Sequence, residues 1–339
     1  MSGASIPYHL RPHKSVDRRL FLDLLTRYER WKPLADYIYI SMGAYPLEDH
    51  KLVHRHLGIS RLISFDLEND TVARQKFNRP IEKCHCICKK SAELISDFDS
   101  VLNGFSFNGQ NGIIIWLDYN NPRQLGSQIR EFQELLNKLC TGDVVRITVN
   151  ANPNSTDDIG NLSAKPMMAD DKRKKQFDNL KSRINDFLPS ATSVDDMTLD
   201  RLPVVISKAF GAAALKALPA TSENVFSPLS IIRYADGDQM LSMTGTVIAR
   251  KDVDEMRKKI DLKSWPFASA DWAKVHRLLV PALTVRERLV LERGILNKST
   301  MELVEELGFV SAADIQMDEF LENYKNYYRF YPTLLSAEI

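Results

Sequence analysis

The feature that most constrains this chain is a run that is apolar on both faces, Gly112-Ile113-Ile114-Ile115-Trp116-Leu117, closed abruptly by Asp118. A strand with one wet face alternates polar and apolar residues. A strand with no wet face is covered on both sides, as the central strand of a parallel sheet is. The flanking sequence supplies the cover. Tyr37-Ile38-Tyr39-Ile40-Ser41-Met42-Gly43 reads as a first strand and Leu47 to Leu57 as a helix. Arg61-Leu62-Ile63-Ser64-Phe65 is a second strand ending at Asp66, followed by a helix over Thr71 to Phe77. The alternation Cys84-His85-Cys86-Ile87-Cys88 is a third strand, with a helix near Ala92 to Phe98. After Asp118 come an amphipathic helix, Gln124 to Leu139, and a fifth strand, Asp143 to Val149. Strand and helix alternate throughout, which calls for a parallel sheet with helices on both faces.

Outside these units the pattern changes. Ser15 can cap a leading helix whose apolar stripe is Val16, Leu20, Leu24, Tyr28 and Trp31. Ala151 to Gly160 is a polar loop, and Asp170 opens a helix with Phe177, Leu180, Ile184 and Phe187 on one side. The run Lys172-Arg173-Lys174-Lys175 on that helix reads as a solvated face. A further helix, Leu202 to Leu218, carries small residues at Ala212 to Ala214 that suit close contact with a neighbour. Leu229 to Tyr234 and Met240 to Ile248 flank an Asp236-Gly237 turn and form a hairpin. Beyond Asp252 the chain reads as helical, down to an aromatic tail of Tyr324, Tyr327, Tyr328, Phe330 and Tyr331.

Charge narrows the partners. With 45 basic and 44 acidic residues the formal net charge is +1, so no global field selects a nucleic acid or an anionic membrane. Nothing near the start resembles a signal peptide, and no stretch is long and apolar enough to span a bilayer. Three of the 4 cysteines share one strand face at successive pleats, too regular and crowded for a tetrahedral zinc site. They read as reduced and buried, with no metal, which places the expected compartment in the cytoplasm.

Five parallel strand–helix units followed by a terminal antiparallel hairpin resemble the class I S-adenosylmethionine-dependent methyltransferases, from about Tyr37 to Ile248. The resemblance implies an α/β, Rossmann-like methyltransferase sheet, mostly parallel, with a terminal antiparallel hairpin and a helical C-terminal extension. It implies a domain over residues 1–250 with a helical insertion at about 165–220, and an extension over 251–339. It also implies an enzyme that uses S-adenosylmethionine as its cofactor. The alternative is a non-catalytic protein- or nucleic-acid-binding component that keeps the fold.

Three strand ends carry the resemblance. After the first strand, Ser41-Met42-Gly43-Ala44-Tyr45-Pro46-Leu47-Glu48-Asp49 offers only Gly43 where a dinucleotide site needs several glycines, which speaks against NAD or FAD. S-adenosylmethionine has no phosphate and needs acceptors for its ammonium group, a role open to Glu48 or Asp49. After the second strand, Asp66 matches the family's ribose-binding carboxylate and Glu68 is the next candidate; an N-cap among Asp66, Asn69 and Asp70 is the competing role. Ser91 stands where the family contacts adenine. After the fourth strand, Asp118-Tyr119-Asn120-Asn121-Pro122 is similar to the Asp/Asn-Pro-Pro-Tyr loop of amino-methyltransferases, with a tight turn as the competing role. Asp118 would orient the acceptor or take its proton, with Tyr119 and Asn120 completing a polar wall.

Two clusters remain. Arg11, His13, Lys14, Arg18 and Arg19 read as a solvated helix start, or as a grip for a phosphate or carboxylate near the cofactor mouth. His50, His54 and His56 read as solvent-facing. Near the C-terminus, Leu283 to Leu291 and Ser299 to Phe309 resemble the first two helices of a helix-turn-helix. The segment after Ser311 carries Asp314, Asp318, Glu319 and Glu322, an acidity that repels phosphates, so packing or a protein partner is expected there rather than nucleic acid. The acceptor substrate is unknown at this stage, and no membrane partner is expected.

Overall fold

The computed structural model describes residues 11–105, 111–156, 168–281, 283–308 and 317–331. A leading helix, α1 (Pro12–Tyr28), precedes β1 (Ile38–Ser41), α2 (Glu48–Leu57), β2 (Arg61–Asp66), α3 (Asn69–Asn78) and β3 (Cys84–Cys88). Two short helices, α4 (Ser91–Ser96) and α5 (Phe98–Asn103), lead to β4 (Ile113–Asp118), α6 (Leu125–Leu136) and β5 (Val144–Asn150). Then come α7 (Ala169–Ile184), α8 (Leu202–Ala217), β6 (Asn224–Asp236) and β7 (Asp238–Ala249). The remainder holds α9 (Val253–Lys259), β8 (His276–Arg277), α10 (Val285–Gly294), α11 (Thr300–Leu307) and α12 (Met317–Tyr327).

The strands form one sheet in the order β3-β2-β1-β4-β5-β7-β6-β8. Strands β1 to β5 are parallel, and β7 runs antiparallel between β5 and β6. The hairpin is longer than its apolar residues suggest, because pairing continues from Tyr234↔Met240 out to Asp236↔Asp238 around Gly237. Gly237 takes φ +101°, a conformation closed to most side chains. One expectation is corrected: the region beyond Asp252 is not all helix, since His276–Arg277 adds a short parallel strand beside β6. Two residues are too few for any hydrophobic period to reveal.

The pleat sorts the core into two faces. On one, Ile38, Ile40, Ile63, Phe65, Ile115, Ile147 and Leu241 meet α4, α6, α7 and α8 through Ile95, Phe132, Leu180 and Phe210. On the other, Tyr39, Leu62, Trp116 and Tyr234 meet α1 through Leu20, Leu24 and Tyr28. The C-terminal helices close the same face, with Leu303, Phe320, Tyr324 and Tyr327 in that cluster. The aromatic tail therefore docks on its own sheet. Arg19 of α1 donates to the Phe330 and Tyr331 carbonyls, 3.0 Å each, and fastens the tail. Of the helix-turn-helix resemblance, α10 and α11 are present as helices, each opened by a Thr or Ser capping box. Ser311 and Asp314 lie outside the described residues, and α12 turns Phe320, Leu321, Tyr324 and Tyr327 inward.

Candidate cofactor and acceptor site

The sheet order reverses at β1: the chain moves outward to β2 and β3, then returns to lay β4 on the other side. Loops leaving β1 and β4 diverge there at the strands' carboxyl ends, the place where such sheets bind ligands. Register fixes what meets at that rim. Ser41 lies opposite both Ser64 and Trp116, Asp66 opposite Cys88, and Asp118 opposite Thr148. The Gly43 loop, Asp66 and Asp118 therefore share one edge of the sheet.

The loop after β1 is held in an unusual shape. Gly43, Ala44 and Leu47 all have positive φ, at 63°, 43° and 54°. Each non-glycine residue there costs about 1–2 kcal/mol, a strain that persists only where surroundings enforce it. They do. Gln75 of α3 donates to the Met42 and Ala44 carbonyls at 3.1 and 3.2 Å, and Asn78 donates to Tyr45 at 3.0 Å. The Arg74 guanidinium lies 3.5 Å from the centre of the Tyr45 ring. Gly43 is required by space as well: a Cβ there would stand 2.7 Å from Ser64 Oγ and 2.8 Å from His50 Cε1.

Beneath this loop sits a buried ion pair that the sequence pattern did not signal. Asp49 accepts from Tyr39 at 2.8 Å and from the Ser41 hydroxyl, and His50 Nδ1 faces its other oxygen at 3.3 Å. His50 Nε2 donates to the Ile63 carbonyl at 3.0 Å. Both ring nitrogens thus face acceptors, which requires both to carry hydrogen. Burial opposes that charge, but the charge of Asp49 and its hydrogen bond outweigh it and raise the His50 pKa. Burial likewise works against the Asp49 carboxylate, and His50, Arg18 and Ser41 together hold it well below the usual range. The expectation that His50 faces solvent is corrected: it is fully buried. Its neighbour at the next turn, His54, is half-buried and bonds the Ile59 carbonyl at 2.9 Å.

Asp66 is half-buried at the end of β2, and its Oδ1 accepts the Glu68 N–H at 3.0 Å. Burial raises its carboxyl pKa, partly offset by that amide. Glu68 is exposed at the N-cap of α3 and makes no side-chain cap. Glu48 opens α2 and faces Lys51 at 3.8 Å. Directly under the β1 loop, the Ser64 hydroxyl is buried with no hydrogen-bond partner among the described residues.

On the β4 side, Asp118 pairs with Lys14 of α1. The pleat sends the next residue the other way: Tyr119 is buried and donates to Glu131 of α6 at 2.6 Å. Ser91 neighbours the same phenol, so Ser91 and Tyr119 come together on the face opposite Asp118. Asn120 is exposed. Asn121, not Asp118, makes the turn, its side chain accepting from Arg123 N at 3.1 Å.

The basic cluster at the start of α1 is not solvated, because the hairpin tip reaches it. Asp236 accepts from the His13 and Lys14 backbone N–H groups at 3.2 and 2.8 Å, capping the helix from 222 residues away. His13 Nδ1 lies 2.9 Å from Asp236 and its Nε2 accepts the Val280 N–H at 3.0 Å. Lys14 and Arg18 are buried as a result. One turn on, Asp17 is fully buried against Arg146 of β5, whose guanidinium lies 4.7 Å from the Phe21 and Trp116 ring centres. Thr244, Ser242 and Thr148 complete the network. Tyr234 borders both acidic residues: burial first, then the charges of Asp17 and Asp118, push its phenol well above the ordinary range.

A mostly parallel sheet with one antiparallel strand inserted next to its last, carrying a carboxylate at the end of β2 and another at the end of β4, is that of a class I S-adenosylmethionine-dependent methyltransferase. Residues 6–339 match the methyltransferase family described as "Putative O-methyltransferase", and the chain belongs to that family. No curated protein matches the sequence. Among solved structures, LepI in complex with S-adenosylmethionine is 10% identical, with 66% of this chain and 46% of that one covered and a TM-score of 0.33. The chain thus spans about half of LepI's length. Trm1 from Pyrococcus horikoshii, bound to S-adenosylmethionine, is 11% identical over 92% of this chain and 76% of its own, with a TM-score of 0.37. The plantazolicin methyltransferase BpumL is 12% identical over 68% and 85%, with a TM-score of 0.34.

Proposed function

We propose that the protein moves the methyl group of S-adenosylmethionine onto an oxygen acceptor, with the donor between the Gly43 loop and Asp66 and the acceptor beside Asp118. The observation that carries this is the pair of carboxylates on one rim at the reversal of strand order, one half-buried at β2 and one paired with Lys14 at β4. Family membership supports methyl transfer, and the family's description favours oxygen.

The residues present fit the donor. Asp66 offers a carboxylate for the ribose, the strained turn at Gly43 brings backbone close to the rim, and the unpartnered Ser64 hydroxyl lies beneath. Glu68, Glu48 and Ser91 surround these as further donor contacts. When bound, S-adenosylmethionine supplies an electrophilic methyl group on a sulfonium. The chain's own task is to align the nucleophile and exclude water. An oxygen nucleophile must lose its proton, and Asp118 is placed to accept it while the Lys14 ammonium stabilises the charge that develops. Asn120 at the mouth contacts the acceptor, and Tyr119 acts from the far face by fixing α6 against β4.

No helix among the described residues is long and apolar enough to cross a membrane. The four free cysteines favour a reducing, cytoplasmic setting. The inward-turned α12 favours the described part of the extension beyond residue 250 as a cover over the sheet, with any protein partner meeting its outer side.

Calorimetry with S-adenosylhomocysteine tests the donor assignment. Asp66→Ala is expected to weaken binding by roughly 1.5–3 kcal/mol, the scale of a hydrogen bond to a charged group. Equal affinity in a folded variant removes Asp66 from the site. If the unmodified protein binds neither S-adenosylmethionine nor S-adenosylhomocysteine, the enzymatic reading is lost with it.

A further inference from the structure

At the far edge of the sheet, α3 and β3 enclose a cleft of about 320 Å³ lined by Lys76, Arg79, Cys84, His85, Cys86 and Phe105, among others. Its chemistry is not that of the rim. Lys76 and Arg79 stand one turn apart at the end of α3, both exposed, and neither pairs with a carboxylate among the described residues. Two cations without counter-ions facing a recess make a seat for an anion. Two thiols line the same recess, Cys84 and Cys86, both buried apart from the cleft. The pleat sets them side by side on one face, and β3 is the terminal strand of the sheet.

We propose that Cys86 is a covalent modification site for small anionic disulfides of the glutathione type, admitted and oriented by Lys76 and Arg79. Thiol reactivity follows thiolate content, and the surroundings of Cys86 favour the thiolate. The Cys86 thiol donates to the Cys84 carbonyl at 3.9 Å; the neighbouring Cys84 thiol, then, against the cost of burial, the charges of His50, Arg79 and Lys76 pull the Cys86 thiol below the ordinary range. The Cys86 sulfur attacks one sulfur of the disulfide, a new S–S bond forms and the old one breaks. Cys86 releases its proton to water, and the departing thiolate takes one up. The Cys86 sulfur is oxidised as the sulfur of the departing half is reduced by the same amount, and no other oxidant enters.

Exposure alone sends the reaction elsewhere. Cys88 and Cys140 are exposed, whereas Cys86 is reached only through the cleft. That contrast gives the test. The full-length folded protein is incubated with glutathione disulfide, quenched by alkylation, and mapped by peptide mass spectrometry over time. The mixed disulfide is expected at Cys86 first, about tenfold faster than at Cys88 or Cys140, because the two cations at the cleft concentrate the anionic disulfide there. The Lys76→Ala, Arg79→Ala double variant, altered only at exposed side chains, is expected to slow that reaction about tenfold. With neutral hydroxyethyl disulfide the same variant should stay within about twofold of the wild type, since only the thiolate-stabilising part is lost. First reaction at Cys88 or Cys140 overturns the site. Reaction at Cys86 slowed equally for both disulfides, or for neither, overturns the anionic class.

Discussion

The two faces of the sheet share apolar packing and differ in what else they bury. The face packed by α4, α6, α7 and α8 is a continuous apolar cluster, built from Ile38, Ile40, Ile115, Ile147 and their partners. The face under α1 and α2 adds charge to its own apolar cluster: Asp17 with Arg146, Asp49 with His50, and Asp118 with Lys14 towards the rim. Buried ion pairs are weak sources of stability, because desolvation consumes most of their attraction. A chain that only needed to fold would have no use for three of them on one side. On the reading proposed above, the charged face is the one that would hold groups in place for chemistry.

The comparison breaks first, and most visibly, at Asp118. Asp118→Ala is expected to lower turnover by roughly 10²–10⁴-fold while donor affinity stays nearly intact. Asp118→Asn should be as damaging if an oxygen acceptor needs a base; partial activity would point to an amine held by hydrogen bonds. Wild-type rates in both would leave Asp118 with a structural role only.

Next in size is Asp17→Ala, which strands the Arg146 guanidinium in the core. Denaturant unfolding should show a loss of about 3–5 kcal/mol, and replacing both partners by apolar residues should recover most of it. A small loss in the single variant would mean that the polar face is less committed to its pair than its burial implies.

His50 tests the same face through pH. Its pKa is raised on folding, so its contribution is complete below about 6.5 and is lost as pH climbs through the raised value. Asp49, held low, contributes above about 3.9 and loses its part only in acid. Stability measured across neutral to alkaline pH should therefore fall in the wild type and fall less in His50→Gln. An identical slope removes His50 from the account. The smallest effect belongs to the apolar face: Ile129→Val on α6 should cost about 1 kcal/mol and leave turnover unchanged at a temperature where both proteins are folded.

Much of this arrangement was legible before any coordinates. Ile113 to Leu117 announces its own burial, and Asp66 and Asp118 mark strand ends because a charge closes each apolar run. What stayed hidden depends on distance along the chain. Lys14, Asp17 and Arg146 look like ordinary polar residues until α1 is laid across the sheet, since no local period links positions 17 and 146. His50 sits in a helix with His54 and His56, and only packing against Ile63 tells it apart. Gln75 and Asn78 are plain helix residues until they are seen clamping the β1 loop. Asp49-His50 stands between Glu48 and Lys51, charged neighbours that give no sign of its burial.

The cap that Asp236 places on α1 also sets a schedule. The start of the chain waits on the hairpin tip 223 residues later, on Val280 a further stretch beyond, and on Tyr331, 312 residues after Arg19. Synthesis runs from the N-terminus, and contacts of such separation are the slowest to close. On the ribosome, α1 emerges before every one of these tethers. The central strands can pair while Lys14 has nothing to hold it beside Asp118, so the nascent protein carries its sheet well before it carries its rim.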